Sequence, residues 1–125
     1  MGSKNLKKRK GLIRIFYAIK YSLEGLSSTF KTEAAFREEI LVSCILIPLA
    51  LIIPLSLVFK AFLIVSTIGV LITELINTAI ESTVNLISQD FHPLVKRAKD
   101  MGSAAVMLSI INLIVAWTFA LFQIF

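Results

Sequence analysis

The sequence predicts an all-α integral membrane fold: three membrane-spanning helices preceded by an N-terminal amphipathic helix on the membrane surface, together forming one embedded domain over residues 1–125. Three observations carry that expectation. The chain has 125 residues, 57% hydrophobic and 17% charged, with a mean hydropathy of +0.86, an apolar share well above that of water-soluble domains. Its apolar residues occur in runs near the length of about 20 helical residues that crosses about 30 Å of hydrocarbon. Its net charge of +5 is local, since six of the thirteen basic residues (Lys4, Lys7, Lys8, Arg9, Lys10 and Arg14) fall in the first fourteen positions.

The surface helix is read over residues 10–30. Leu12, Ile15, Phe16, Ile19, Leu23, Leu26 and Phe30 recur at steps of three and four, while Lys10, Arg14, Tyr17, Lys20, Tyr21 and Glu24 occupy the opposite arc. So many charges oppose spanning, and a wide apolar face suits the membrane interface. Gly25, Ser27, Ser28 and Thr29 then loosen the pattern, and Thr32 is placed to cap a new helix with Glu33 in its first turn.

The first span is expected within 32–59, because the chain carries no charge from Ile40 to Phe59. Pro48 and Pro54 lie inside it and predict a kink. Lys60 marks a short turn, the second span follows over 61–89, and the third over 101–125, with Trp117 and Gln123 as its bulkiest and most polar departures. Between them residues 89–100 form a charged connection containing Pro93. No removable secretion signal or myristoylation signal is apparent at the start, and the single Cys44 excludes an intrachain disulfide.

Basic residues at the N-terminus and at Lys96, Arg97 and Lys99 lie on one side of a three-span topology, which makes that side cytoplasmic. The C-terminus is then periplasmic or extracellular. A basic run beside an apolar segment serves topology and anionic lipid headgroups, and no nucleic-acid-binding motif accompanies it.

The chemistry is concentrated in the second span, where Glu74, Asn77, Glu81 and Asn85 are separated by three, four and four residues. At about 100° per residue they form a stripe about 80° wide, and Thr67, Thr78 and Ser88 fall near it. An acidic side chain at the centre of a spanning helix costs about 2.5–3.5 kcal/mol on insertion scales, so such a stripe marks a functional site. Amides alone would bind helices together at lower cost.

Depth separates the two acids. Seven residues put Glu74 about 10 Å further from the charged connection than Glu81, so Glu81 reaches the level of Mg²⁺ and nucleotide phosphates while Glu74 meets a lipid hydroxyl. That pairing fits phosphoryl transfer to a lipid alcohol. Glu33 adds a carboxylate near the same face, and Mg²⁺ commonly takes one or two carboxylates with phosphate oxygens and water, so Glu33 and Glu81 are the candidate pair. Alternatively, Glu33 and Arg37 are an ordinary i, i+4 ion pair, the Lys96–Lys99 cluster is a topology signal, and His92 is a loop residue. No Walker-type phosphate loop or protein-kinase catalytic loop is present.

Glu74-Leu-Ile-Asn-Thr-Ala-Ile-Glu81, Ala98-Lys-Asp-Met-Gly-Ser-Ala-Ala-Val106 and Thr32-Glu-Ala-Ala-Phe-Arg37 closely resemble the prokaryotic diacylglycerol kinases, in order and spacing from about Arg14 to Trp117. The resemblance implies a homotrimeric helical bundle in the bacterial inner membrane, with active sites shared between subunits. It also implies Mg-ATP as phosphoryl donor and diacylglycerol as acceptor. By it Glu74 is the catalytic base, supported by Asn77, while Glu33 and Glu81 hold Mg²⁺. Lys99 and Asp100 contact nucleotide, Arg14 and Tyr21 match positions near the phosphates, and Asp90 and His92 match the loop beside the nucleotide. Ser103 and Trp117, with Arg14 and Glu74, match the lipid side.

A sister branch of that family phosphorylates undecaprenol. Met101-Gly-Ser-Ala-Ala resembles the diacylglycerol branch, whereas His92-Pro-Leu also occurs in the sister branch and Asn85 stands where an acid is common. A reading from another class is a proton-coupled transporter in which Glu74 and Glu81 relay protons; it gives no account of Glu33 beside Lys99 and Asp100.

Overall fold

A computed structural model describes residues 10–125. The basic run from Lys4 to Arg9 lies outside the described residues. All regular structure among them is helical, in the order α1 (Leu12–Thr32), α2 (Ala34–Ile52), α3 (Leu57–Ile87) and α4 (Pro93–Ile124).

Gly11 starts α1 with φ 67°, in the left-handed region that favours glycine. The helix does not stop at the Gly25–Thr29 stretch as the composition suggests. Ser22, Thr29 and Thr32 donate their hydroxyls to carbonyls four residues back, which satisfies these polar groups within the helix. Thr32 therefore closes α1 and does not cap α2. The junction is Glu33, in extended conformation with φ −113°. No residue of α1 is buried, so its apolar face remains open for a membrane or another surface.

Arg37 fastens the junction: Nη1 donates to the carbonyls of Phe30 and Lys31 at 2.8 and 3.1 Å. These are carbonyls that the end of α1 leaves without helical partners. The expected i, i+4 pairing of Arg37 with Glu33 is thus replaced by a cap.

The helical part of the first span ends sooner than its uncharged run. Pro48 is accommodated inside α2, but the helix stops at Ile52, just before Pro54, and residues 53–56 form the link. Lys60 is not in a turn. It lies in the first turn of α3 and reaches back to the Leu51 carbonyl at 2.7 Å, while Ser56 caps α3 by accepting from the Phe59 amide. At the same end Gln123 accepts from the Ser56 amide at 3.3 Å, tying the start of α3 to the end of α4.

Helix α4, which carries the third expected span, starts well before its apolar run. Pro93 occupies the first turn, where its missing N–H costs nothing, and His92 caps the helix, Nδ1 accepting from the Leu94 amide at 3.1 Å. The expected charged connection is therefore mostly the start of α4, and the link proper is residues 88–92. Two helices, α3 and α4, are long and apolar enough to cross a membrane by length and composition. α2 has 19 residues and carries Arg37, Glu38 and Glu39 at its fourth to sixth positions.

α3 and α4 form the most extensive pairing, with α2 packed on α3. Ala50, Leu63 and Ala120 form a small core with Phe59 and Trp117 against it. Few other apolar side chains are buried, and residues such as Leu41, Ile45, Phe62, Val65, Met107 and Phe119 are exposed. Apolar surface on this scale needs lipid or a partner chain.

Candidate active site

The site is built on the inward face of α3. Leu63, Ser66, Thr67, Val70, Glu74 and Asn77 are its buried residues, spaced by three, one, three, four and three, which is one side of a helix. The polar stripe read from the sequence therefore faces the bundle. Glu74 is 7% exposed and Asn77 8%, while Glu81 is half-buried and Asn85 exposed. The stripe leads from the interior out toward the α3–α4 link.

Asn77 reaches the outer acid of the stripe. Its Nδ2 donates to Glu81 Oε1 at 3.4 Å, a long bond that leaves most of the Glu81 carboxylate's accepting capacity unused. Its Oδ1 is buried without a hydrogen-bond partner. The carbonyl side of this amide faces Gly102 of α4, where a side chain would collide with it.

Carboxylates gather around Glu74. Glu33 and Glu81 lie near enough to act on it electrostatically, and Glu39 of α2 packs its carboxyl group beside it. Glu39 was not singled out from the sequence, where it is the last charge before an apolar run. Its signal is in the spacing: Phe36, Ser43 and Ala50 are the buried residues of α2, and Glu39 lies three after the first and four before the second. It therefore belongs to the inward face.

Glu33 lines a concavity of about 550 Å³ between the second half of α1 and α3, with Ser22, Thr29, Leu75 and Thr78. As N-cap of α2 its side chain makes no capping bond, which leaves the carboxylate available to another partner. Four further predicted residues, Asp90, His92, Lys99 and Asp100, share a second concavity of about 430 Å³ at the α3–α4 link. Lys96 also lines it, in an ion pair with Asp100 at 2.6 Å.

Other predicted residues stand apart within one chain. Arg14 is exposed near the start of α1, and Tyr21 lies one ring from Tyr17, 6.2 Å between centroids. Neither lines the two concavities. Ser103 is exposed near the site, whereas Trp117 packs on the Ala50–Leu63–Ala120 core, about 21 Å further along α4. The Trp117 Nε1 is buried with no hydrogen-bond partner.

Comparison with known proteins decides the family. The family model described as prokaryotic diacylglycerol kinase matches residues 20–121. The chain belongs to the prokaryotic diacylglycerol kinase family. It is similar to the diacylglycerol kinase of Pseudomonas aeruginosa, 42% identical over 117 residues that cover 94% of this chain and 95% of the relative. The diacylglycerol kinase of Haemophilus influenzae is 40% identical over 115 residues, covering 92% and 98%, and that of Escherichia coli K12 38% identical over 115 residues, covering 92% and 94%.

Enzymes that transfer phosphoryl groups from nucleotides commonly work with a divalent cation on the phosphates. Among the described residues no three His, Cys, Asp or Glu side chains of one chain are arranged to hold a metal ion together. Mg²⁺ is commonly held by one or two carboxylates and substrate phosphates. Glu33, unused as a cap, and Glu81, lightly engaged by Asn77, are the carboxylates that would be free to take such a part.

Proposed function

We propose that this chain is a diacylglycerol kinase that transfers the γ-phosphoryl group of ATP to the free hydroxyl of diacylglycerol, giving phosphatidic acid and ADP for lipid recycling. Family membership supports that reading, and the observation that carries its chemistry is Glu74, a carboxyl group buried on an apolar helix. A charge so placed is costly without a function. The stripe continuing through Asn77 to the half-buried Glu81 gives that function a direction, from lipid depth to nucleotide depth.

In the reaction Glu74 accepts the proton of the lipid hydroxyl as its oxygen bonds to the γ-phosphorus, and the bond from that phosphorus to the β–γ bridging oxygen breaks to release ADP. Asn77 and Glu39 hold Glu74 and its surroundings in place. Glu33 and Glu81 would hold the cation. When bound, Mg²⁺ supplies neutralisation of the phosphate charge. Lys99 and Arg14 add positive charge toward the phosphates, while Tyr21, Asp90, His92 and Asp100 border the nucleotide. Ser103 and Trp117 serve the lipid side.

The same reading gives α2 a third crossing, completed by the non-helical residues 53–56, with the α3–α4 link at the cytoplasmic face of the bacterial inner membrane. Basic Lys96, Arg97 and Lys99 at that link support the orientation. A homotrimer with shared active sites accounts for two further features. Apolar surface is widely exposed on one chain, and Arg14, Tyr21 and Trp117 do not line the concavities that take in Glu33, Asp90, His92, Lys99 and Asp100.

The test is transfer of labelled γ-phosphate from Mg-ATP to diacylglycerol and to undecaprenol in mixed micelles, with Glu74→Gln as control. Glu74-dependent labelling of diacylglycerol is expected. Preference for undecaprenol would reassign the acceptor, and no labelling of either lipid by folded protein would remove the kinase reading.

A further inference from the structure

Helix α4 comes close to the polar stripe of α3 at Gly102. This glycine is buried in the interior of a 32-residue helix, where glycine destabilises relative to alanine. Its φ is not positive, so the backbone does not require it. Space does: a Cβ built at Gly102 would fall 2.2 Å from Asn77 Oδ1 and 3.2 Å from Asn77 Cγ, and the next atom of that residue, Cα, lies at 3.9 Å. The obstruction is therefore the Asn77 amide and not the backbone of α3. Gly25 and Gly69, by contrast, face open space.

We infer that Gly102 is a positioning residue for Asn77, its bare Cα holding the amide so that Nδ2 points at Glu81. The amide has two polar ends with different tasks. Nδ2 is the end that can donate to a carboxylate, and it is directed at Glu81 Oε1. Oδ1 cannot usefully face a carboxylate, and it is accommodated against the open side of Gly102 without a hydrogen-bond partner. A methyl group at position 102 takes that space and turns the amide away, so that Glu81 loses its neighbour. Partners that orient a metal-binding carboxylate tune its affinity for the cation. The inference rests on the proposed role of Glu81 in holding the cation.

The experiment compares wild type, Gly102→Ala, Gly69→Ala, Asn77→Ala and the Asn77→Ala/Gly102→Ala double variant for lipid phosphorylation as Mg²⁺ is varied, with thermal midpoints alongside. Gly102→Ala is expected to raise the Mg²⁺ concentration giving half-maximal rate about tenfold, leaving the KM for diacylglycerol unchanged. Gly69→Ala should match wild type. Merely structural damage would lower the amount of active enzyme and the maximal rate without moving half-saturation.

In the Asn77→Ala background the added methyl meets nothing closer than an ordinary contact, so Gly102→Ala should cause no further change there. An unchanged Mg²⁺ dependence in folded Gly102→Ala, or an equal effect of Gly102→Ala with and without Asn77, overturns the inference. If Gly102→Ala fails to fold, recovery of folding in the double variant supports the opposition of the two residues, and failure of both overturns it. Wild-type protein inactive with Mg-ATP would instead remove the kinase reading itself.

Discussion

Glu39 of α2 sets its carboxyl group beside that of Glu74 on α3, and its own Oε2 is buried with no hydrogen-bond partner. The pairing joins the helix that carries the stripe to the helix packed against it. Removing Glu39 therefore loosens Glu74 without altering it. Since a displacement of about 1 Å of a reacting group can cost about a hundredfold in rate, Glu39→Ala should lower kcat by about tenfold or more with KM for both substrates nearly unchanged. Glu39→Gln keeps the volume and a hydrogen-bonding group, and should retain more activity than alanine. Steady-state kinetics of the two variants decide the point.

Arg37 holds the α1–α2 junction through two carbonyls. A hydrogen bond to a charged group is worth about 1.5–3 kcal/mol, and exposure favours the lower end. Arg37→Ala should lower stability by about 1–2 kcal/mol and speed trypsin cleavage at Lys31, whereas Glu33→Gln should do neither while weakening Mg²⁺ dependence. Thermal unfolding and timed proteolysis in the same detergent separate the two residues.

His92 caps α4 through Nδ1. Loss of an N-cap costs about 1 kcal/mol, and asparagine caps well. His92→Ala should therefore lower the thermal midpoint while His92→Asn restores it. If His92 also borders the nucleotide, the asparagine variant will regain stability but show a raised KM for ATP, and the two measurements together distinguish cap from contact.

Lys96 and Lys99 lie about one turn apart on α4 and are alike in charge but not in role. Lys96 pairs with Asp100, both 62% exposed, and such pairs contribute less than about 1 kcal/mol. Lys99 is half-buried in the concavity at the link. Lys96→Met should leave stability and KM near wild type. Lys99→Met should raise the KM for ATP about tenfold, the equivalent of one charge-assisted hydrogen bond of about 1.4 kcal/mol.

The helical fold, and the stripe that organises the site, were legible in the sequence because both rest on periodicity. Glu74, Asn77 and Glu81 fall on one face by spacing alone, and the structure turns that face inward. The helix ends were less legible because they depend on partners remote from the local pattern. Lys60 looks like a turn until its ammonium finds the Leu51 carbonyl, and residues 93–100 look like a loop until His92 and Pro93 are seen to start a helix. Glu39 was hidden by its neighbour Glu38, since two adjacent acids at the edge of an apolar run look solvated. The role of Gly102 could not be read from its own segment, because the group it accommodates belongs to another helix.

The unequal helix lengths make the protein sensitive to the thickness of its host bilayer. α3 and α4, with 31 and 32 residues, extend about 46–48 Å, while α2, with 19, extends about 28 Å. Hydrocarbon is about 30 Å deep, so the long pair overshoots it by about three turns and the short helix just fits. Longer acyl chains would draw Glu74 further below the headgroups, and shorter ones would expose it to water. The rate should then pass through a maximum as the acyl chains of a defined bilayer are lengthened, set by the depth of one carboxyl group.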